Sequence, residues 1–195
     1  MHEASEIFNL LLSFYSENGI TEIVYKRVPC IYYDYPSDED LYALYRLNAQ
    51  LIRRDISASI SISNKIPFSS RRIRGTKKAK KCNISVCESN NYSGYMKLLN
   101  NVLLIHHGVV AVYSTQEIEQ LARAFPNNIK LFVAQRSSEE LLAGVIVYIN
   151  KNTVHAQYIA NSEEGRKIGA LDYLFDFLIN DEFVDKKWFD IWNMY

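Results

Sequence analysis

Apolar and polar residues alternate in two different rhythms over the first third of the chain. In residues 6–16, apolar side chains recur every three or four positions, which predicts a helix that ends near Gly19. Residues 21–28 alternate with a period of two and predict a strand. Acidic residues directly after Ser37 predict the start of a second helix. Residues 50–63, in which isoleucine and alanine alternate with serine, predict a strand with one buried face.

Helix and strand patterns continue in the middle of the chain. Residues 83–88 predict a short strand, and residues 92–106 carry one apolar side that predicts a helix. Ser114 and Glu117 are spaced as a capping box, in which each side chain accepts a hydrogen bond from the other residue's backbone amide. Another helix should therefore begin at this point.

The last third begins with three apolar segments that predict strands, at residues 129–135, 141–150 and 154–160. The joints between them are short and polar, so the three strands should be antiparallel neighbours. A helix with an apolar stripe is expected after Gly165, and residues 188–192 predict a last strand. Turn-forming residues at 64–70 predict a domain boundary, which we place after residue 66.

Composition narrows the class of protein without identifying its chemistry. The chain has 195 residues, of which 48% are hydrophobic and 23% charged, so it is long enough for one core or two small ones. Lys plus Arg and Asp plus Glu each total 22, a balance that argues against a nucleic-acid or membrane protein as a whole. No apolar run approaches the roughly 18–20 residues of a membrane span. The acidic N-terminus lacks the features of a secretion signal.

Cysteine usage and local charge add two expectations. Cys30, Cys82 and Cys87 are too few for a disulfide framework and do not have a zinc spacing, so we expect a reducing, cytoplasmic compartment and no metal site. Residues 71–81 contain seven basic residues and no acidic one. This basic segment could contact nucleic-acid phosphates, or it could be a solvated helix or loop that balances acidic residues elsewhere.

The turn at residues 161–170 is a candidate for ligand chemistry. It follows a strand and opens a helix, whose first amides and positive dipole end attract phosphate. Two glycines would let a ligand approach the backbone and two basic residues add positive charge: Gly165, Gly169, Arg166 and Lys167. The alternative is a plain helix cap formed by Asn161 and Glu164, with glycines that only fit a tight joint.

The order of the predicted elements resembles the GNAT family of acyltransferases: a strand, two helices, three antiparallel strands, a glycine turn, a helix and a strand. Arg166 and Gly169 match the family's Gln/Arg-x-x-Gly-x-Gly/Ala loop, whereas Leu171 stands where the family has Gly or Ala. The resemblance implies an α+β fold with a mixed, mainly antiparallel sheet flanked by helices. It also implies acetyl-CoA or another acyl-CoA as co-substrate, with its diphosphate at this loop.

Several segments also resemble Fem-like proteins, a bacterial subgroup in which two GNAT-like halves lie in tandem. The matching segments include residues 39–44, 71–81, 114–117, 143–145, 155–158 and 164–179. On this template, residues 1–66 resemble the closing part of a first half. Residues 67–195 resemble the core of a second half that lacks its closing strands.

The resemblance implies an N-acyltransferase that moves an acetyl or aminoacyl group from acyl-CoA or aminoacyl-tRNA to the amine of a small molecule or peptide. Separation of the strands at residues 154–160 and 188–192 would form the donor cleft. The implied donor-binding residues are Tyr158, Ile159, Ala160, Gly165, Arg166, Lys167, Ile168, Gly169 and Ala170. The implied catalytic residues are His155, Tyr158 and Glu163. Because His155 and Tyr158 are three residues apart, a regular strand would place them on opposite faces.

Two other functions are consistent with the same sequence. The basic segment could make the protein an RNA-binding module that binds tRNA. A shortened relative could instead be inactive and self-associate, because a sheet ending at residues 188–192 would expose an edge to a second copy. The homodimer interface would then comprise Trp188, Phe189, Ile191, Trp192 and Tyr195. In that case His155 and Tyr158 would be structural residues of the core.

Overall fold

A computed structural model describes residues 2–136 and 140–191 of the chain. The chain divides into two units, Met1–Ile56 and Ser57–Tyr195. The division falls ten residues before the boundary that the turn-forming residues predicted. Because of this shift, the serine-rich segment around residue 60 belongs to the second unit.

The first unit is built on two helices, α1 (His2–Glu17) and α2 (Glu39–Arg46), with a single 3-10 turn at Cys30–Tyr32 between them. α1 ends at Glu17, close to the predicted stop at Gly19, which has a positive φ of 76°. α2 begins one residue later than predicted, with Asp38 at the N-cap position.

The strand predicted for residues 21–28 is wrong. These residues form neither helix nor strand, and among the described residues they pair with no strand. Side chains hold the segment instead, since the Arg27 guanidinium is 2.6 Å from the Asp38 carboxylate and 3.1 Å from that of Asp40. A period-two pattern becomes a strand only where a partner supplies backbone hydrogen bonds.

The second unit contains a six-stranded sheet. Its strands are β1 (Ser59–Ser61), β2 (Ser85–Ser89), β3 (Ile129–Gln135), β4 (Leu141–Ile149), β5 (Thr153–Asn161) and β6 (Trp188–Asp190). They lie in the order β1-β6-β5-β4-β3-β2, and only β5 and β6 are parallel. The prediction of three consecutive antiparallel strands is confirmed by β3, β4 and β5.

β1 covers the edge of β6 that was predicted to be exposed. Of the strand predicted over residues 50–63, only Ser59–Ser61 forms, and Ile60 pairs with Phe189 of β6. The Ile191 amide also donates to the Ala58 carbonyl at 2.9 Å. β6 therefore has a strand on each side, and the predicted exposed edge is wrong for Trp188–Asp190. Trp192 and Tyr195, which were assigned to the same interface, lie outside the described residues.

Helices cover both faces of the sheet. They are α3 (Ser70–Lys81), α4 (Tyr92–His107), α5 (Thr115–Ala124), α6 (Glu163–Ile168) and α7 (Ala170–Phe177), the last continuing into a π-helical turn, Leu178–Glu182. α3, α6 and α7 bury Ala79, Ile168 and Leu174 in the core on one face. α4 and α5 bury Met96 and Ile118 in the core on the other.

One local prediction about these helices and the prediction of the overall fold are confirmed. The capping box is present, since the Glu117 amide donates to Ser114 Oγ and the Ser114 amide donates to the Glu117 carboxylate. The predicted α+β fold with a mainly antiparallel sheet is also confirmed. No helix in the described part of the chain is both long and apolar enough to cross a membrane.

Candidate active site

β5 and β6 pair over a short distance. β6 pairs only with the first three residues of β5, ending at the pair formed by His155 and Asp190. β5 continues to Asn161, and among the described residues no strand pairs with that edge beyond His155. The separation of these two strands, which the resemblance implied for residues 188–192, involves residues after Ile191 that lie outside the described part of the chain.

A buried histidine–aspartate pair lies at the end of the β5–β6 pairing. His155 Nδ1 is 2.9 Å from Asp190 Oδ2, and His155 Nε2 is 3.1 Å from Gln157 Oε1. His155 is 9% exposed and Asp190 is fully buried. A carboxylate on Nδ1 fixes the orientation and tautomer of an imidazole, and it stabilises the ring when the ring takes up a proton at Nε2.

Asp190 and Gln157 were not among the residues identified from the sequence. Asp190 interrupts the otherwise apolar segment Trp188-Phe-Asp-Ile191, and an acid within a buried strand is a signal that could have indicated it. Its partner could not be read from the sequence, because His155 and Asp190 are 35 residues apart and meet only through the β5–β6 register.

A β-bulge in β5 changes which residues share a face. Ile146 pairs with Tyr158 and Val147 pairs with Ala156, so Gln157 is an extra residue in β5. Tyr148 pairs with His155 and lies on the same face of β4 as Ile146. His155 and Tyr158 therefore share a face, and the prediction that they lie on opposite faces is wrong.

Tyr158 lies under the loop between α4 and α5. Burial raises the pKa of its hydroxyl, and hydrogen bonding from the Tyr113 backbone opposes that rise. Burial also raises the pKa of Tyr148, across the strand from His155, to about 12. Both hydroxyls therefore stay protonated at neutral pH. Of the next two residues of β5, Ile159 packs on the α7 side and Ala160 is buried on the α4 side.

Glu163, the third catalytic candidate, is not near His155. It lies in the exposed first turn of α6, beyond the far end of β5. Six residues separate His155 from the end of the strand, which is roughly 20 Å at ~3.3 Å per residue. The structure therefore brings His155 together with Asp190 and Gln157, and it leaves Glu163 apart from them.

The turn predicted to hold a diphosphate has most of its amides engaged. Ser162, not Asn161, caps α6, and its Oγ accepts the Gly165 amide at 2.9 Å. The Arg166 amide donates to the Ser162 carbonyl at 2.9 Å, and the Gly169 amide donates to the Gly165 carbonyl at 3.0 Å. These three amides therefore have acceptors within the chain.

Gly169 is a contact point between helices. It has a φ of 83°, ends α6 and begins α7, and a Cβ added there would collide with the Gly75 backbone of α3. Lys78 Nζ on α3 donates to the Lys167 carbonyl at 2.8 Å. Arg166 and Lys167 are exposed, whereas Ile168 and Ala170 are buried. The face of Gly169 is thus filled by α3.

α3, the helix formed by the basic segment, directs its charges in two directions. Two basic residues form ion pairs with α7, at 2.5 Å between Arg72 and Asp172 and at 3.7 Å between Lys80 and Asp176. Lys78 donates to the Lys167 carbonyl of α6. The other four lie on the opposite, exposed side of the helix and are named here the basic face: Arg71, Arg74, Lys77 and Lys81. Within the described ranges no ion pair involves any of these four.

Two further observations concern a cavity outside this site and the side chains that could bind a metal. A cavity of about 200 Å³ is lined by Ser89, Asn91, Val133, Gln135 and Leu141, none of which was predicted as a site residue. Over residues 2–136 and 140–191 the structure holds no group of three or more His, Cys, Asp or Glu side chains placed to bind a metal.

Comparison with known proteins identifies the fold. No family model and no curated protein sequence matches the chain. Among solved structures, FemX matches over 97% of this chain and 68% of its own, with a TM-score of 0.66 and 12% identity. L-PGS from Bacillus licheniformis matches over 78% of this chain and 49% of its own, with a TM-score of 0.59 and 9% identity.

A third match is the C-terminal domain of a putative lysylphosphatidylglycerol synthetase from Agrobacterium fabrum, with a TM-score of 0.50 and 10% identity. It covers 70% of this chain and 45% of its own. The chain therefore spans about two thirds of FemX and about half of the other two proteins. These matches confirm the predicted GNAT-type, Fem-like fold.

Proposed function

We propose that this protein is a Fem-like N-acyltransferase that transfers an aminoacyl group from aminoacyl-tRNA to an amine of a small molecule or peptide. The observation that carries the proposal is the buried His155–Asp190 pair at the end of the β5–β6 pairing. The name of one structural neighbour, a putative lysylphosphatidylglycerol synthetase, is consistent with an aminoacyl group, since its product carries a lysyl group. A tRNA substrate also implies a cytoplasmic protein.

His155 is the general base in this proposal. The acceptor arrives as an ammonium ion and must lose a proton before its nitrogen can attack the acyl carbon. His155 Nε2 takes that proton once the acceptor amine has displaced the Gln157 amide oxygen that lies 3.1 Å from it, and Asp190 stabilises the imidazolium that results. The new N–C bond forms as the ester C–O bond to the ribose breaks, and the ribose oxygen leaves with a proton. An ester and an amine thus become an amide and a free hydroxyl.

The surroundings of Gly169 favour tRNA over CoA as the donor. A diphosphate needs open amides at the turn, but the Gly165 and Gly169 amides have internal acceptors and α3 fills the face of Gly169. The basic face of α3 offers four exposed cations to phosphates that lie farther apart. Each phosphate contact releases a counterion, so tRNA binding should weaken steeply with salt.

Acyl-CoA is the alternative donor. The uncovered edge of β5 near Tyr158, Ile159 and Ala160 would lie along it, and Arg166 and Lys167 are exposed beside the turn. This donor requires α3 to move off Gly169. Isothermal titration with acetyl-CoA separates the two proposals: heat of binding at micromolar ligand would favour CoA, and its absence together with binding of tRNA would favour tRNA.

A transfer assay tests the reaction. The protein is incubated with total aminoacyl-tRNA carrying labelled amino acids and with a pool of short peptides that have free amines. We expect label to pass into the peptides. His155→Gln should lower the rate by about 100-fold or more, since removing a general base costs on the order of 10²–10⁴. Glu163→Gln is the matched control and should keep the wild-type rate. Label that stays on tRNA with every peptide would refute the proposal.

A binding assay tests the basic face separately. The double variant Arg74→Ala/Lys77→Ala should bind tRNA more weakly and with a smaller salt slope than the wild type. The control removes two exposed cations from the opposite face of the sheet, Lys97→Ala/Arg123→Ala, and should leave both properties unchanged. Equal losses in the two double variants would show that tRNA binds to net charge and not to α3.

The self-association alternative has lost its main support. Its predicted interface was an exposed strand at residues 188–192, but β1 pairs with Trp188–Asp190 over that length. A homodimer would therefore need a different surface from the one that the sequence predicted.

A further inference from the structure

Tyr95 of α4 is a fully buried tyrosine whose hydroxyl lies at the bulge in β5. The Tyr95 side chain crosses the face of β4, where its ring covers Gly144 so closely that a Cβ on Gly144 would lie 2.5 Å from it. Its hydroxyl donates a 2.8 Å hydrogen bond to the Tyr158 carbonyl. A buried phenol needs a hydrogen-bond partner, and here the partner is the backbone next to the extra residue of β5.

This hydroxyl lies directly beside the bulge. Ile146 and Tyr158 are paired across β4 and β5 at that point. Burial raises the pKa of Tyr95 well above its usual value, and a hydrogen bond from the Ile146 backbone acts in the opposite direction. The hydroxyl thus contacts the Tyr158 backbone where the bulge interrupts the regular ladder.

We propose that Tyr95 is a positioning residue whose hydroxyl, hydrogen-bonded to the Tyr158 carbonyl, holds the bulge that sets Gln157 against His155. The bulge matters because it adds Gln157 to β5, and the side chain of Gln157 contacts His155 Nε2 at 3.1 Å. Nε2 is the nitrogen that takes the proton in the proposed reaction. Tyr95 itself has no exposed surface and therefore acts on the site only through the strand.

The importance of Tyr95 for catalysis rests on the proposed role of His155. Its effect on the bulge does not, and NMR can measure that effect without substrate. A failed transfer assay would leave the role of Tyr95 in the bulge standing, and an unperturbed bulge in a Tyr95 variant would leave the transfer reaction standing.

The experiment compares two Tyr-to-Phe variants on α4. Tyr95→Phe removes only the hydroxyl at the bulge. Tyr92→Phe is the matched control, because Tyr92 is also buried and its hydroxyl lies 3.5 Å from the Ile129 carbonyl of β3, away from the bulge. Amide hydrogen exchange is measured along β4 and β5, and the ring nitrogen signals of His155 are recorded by ¹⁵N NMR.

We expect Tyr95→Phe to accelerate exchange at Tyr158 and Ile159 at least tenfold more than at Val133 and Val145 in the centre of the sheet. The His155 ring signals should shift at the same time. Tyr92→Phe should change neither. Uniform acceleration over the sheet with unchanged His155 signals would overturn the proposal, because Tyr95 would then be a purely structural residue.

A second variant keeps the test decisive if Tyr95→Phe does not fold. Gln157→Ala should shift the His155 ring signals while the exchange rate at Tyr158 stays at its wild-type value, since the Tyr95 hydrogen bond remains. Where both single variants fold, the double variant should show no larger His155 shift than Gln157→Ala alone. Additive shifts, or no shift with Gln157→Ala, would contradict the proposed path from Tyr95 through Gln157.

Discussion

The two ends of β5 differ in how they use polar groups. At its start, the ionisable side chains of His155 and Asp190 are buried against each other where the β5–β6 pairing ends. At its end, the turn around Gly165 and Gly169 satisfies its own amides and packs against α3. The resemblance implied donor binding at the turn and a catalytic role for His155. The contacts engage the turn within the fold and give His155 a buried carboxylate partner.

The difference shows that glycine has two uses at a strand-to-helix turn. It can keep the backbone open to a ligand, or it can let another helix come close. Gly169 has the second use, because the Gly75 backbone occupies the space next to it. Buried ionisable groups carry more information about chemistry, since burying them is costly unless a partner compensates.

Substitution of Gly169 is the strongest test of the packed end. Gly169→Ala should lower the free energy of unfolding by about 2–5 kcal/mol, from a strained positive φ and a collision with α3. Gly108→Ala is the control, because Gly108 has a φ of 68° and nothing within 4 Å of the added Cβ. It should cost only about 1–2 kcal/mol. Denaturant unfolding measures both, and equal losses would mean that the turn is open.

A double-mutant cycle tests the buried end. Asp190→Asn and His155→Gln each remove one partner of a buried pair, so their effects on unfolding should not add. We expect a coupling of about 0.5–3 kcal/mol at neutral pH. The control cycle pairs His155→Gln with Glu163→Gln, which lie at opposite ends of β5 and should couple by less than about 0.5 kcal/mol. A coupling near zero between Asp190 and His155 would show that the two side chains do not act as a buried pair.

The smallest expected effect concerns the attachment of α3. Arg72→Ala should lower the free energy of unfolding by about 0.2–1 kcal/mol, because Arg72 is 63% exposed although its partner Asp172 is only 17% exposed. The loss should largely disappear at 1 M salt, where exposed charges are screened. Arg74→Ala, on the basic face, should stay near wild type in either salt. A loss for Arg72→Ala that salt does not change would point to packing of the side chain as its cause.

The sequence was sufficient where structure depends on neighbouring residues. β3, β4 and β5 were predicted with their antiparallel pairing, because apolar runs joined by short polar segments have few other arrangements. The capping box at Ser114 was predicted because its two side chains are three residues apart. The helices α4, α5 and α7 followed from their apolar periodicity, whereas the basic segment that forms α3 was left open as a helix or a loop. With the element order, these patterns were enough for the GNAT-type fold.

The tertiary structure decided everything that depends on which distant segments meet. Residues 21–28 had the pattern of a strand but found no partner among the described residues. The short β1, in contrast, paired with β6 and covered its edge. The meeting of His155 with Asp190 depends on the register of two parallel strands, and the shared face of His155 and Tyr158 depends on one bulged residue. The contact of Gly75 with Gly169 depends on how α3 crosses α6 and α7. Local periodicity fixes which face of an element is apolar, but long-range packing selects the partner that covers it, and the proposed site lies at such long-range contacts.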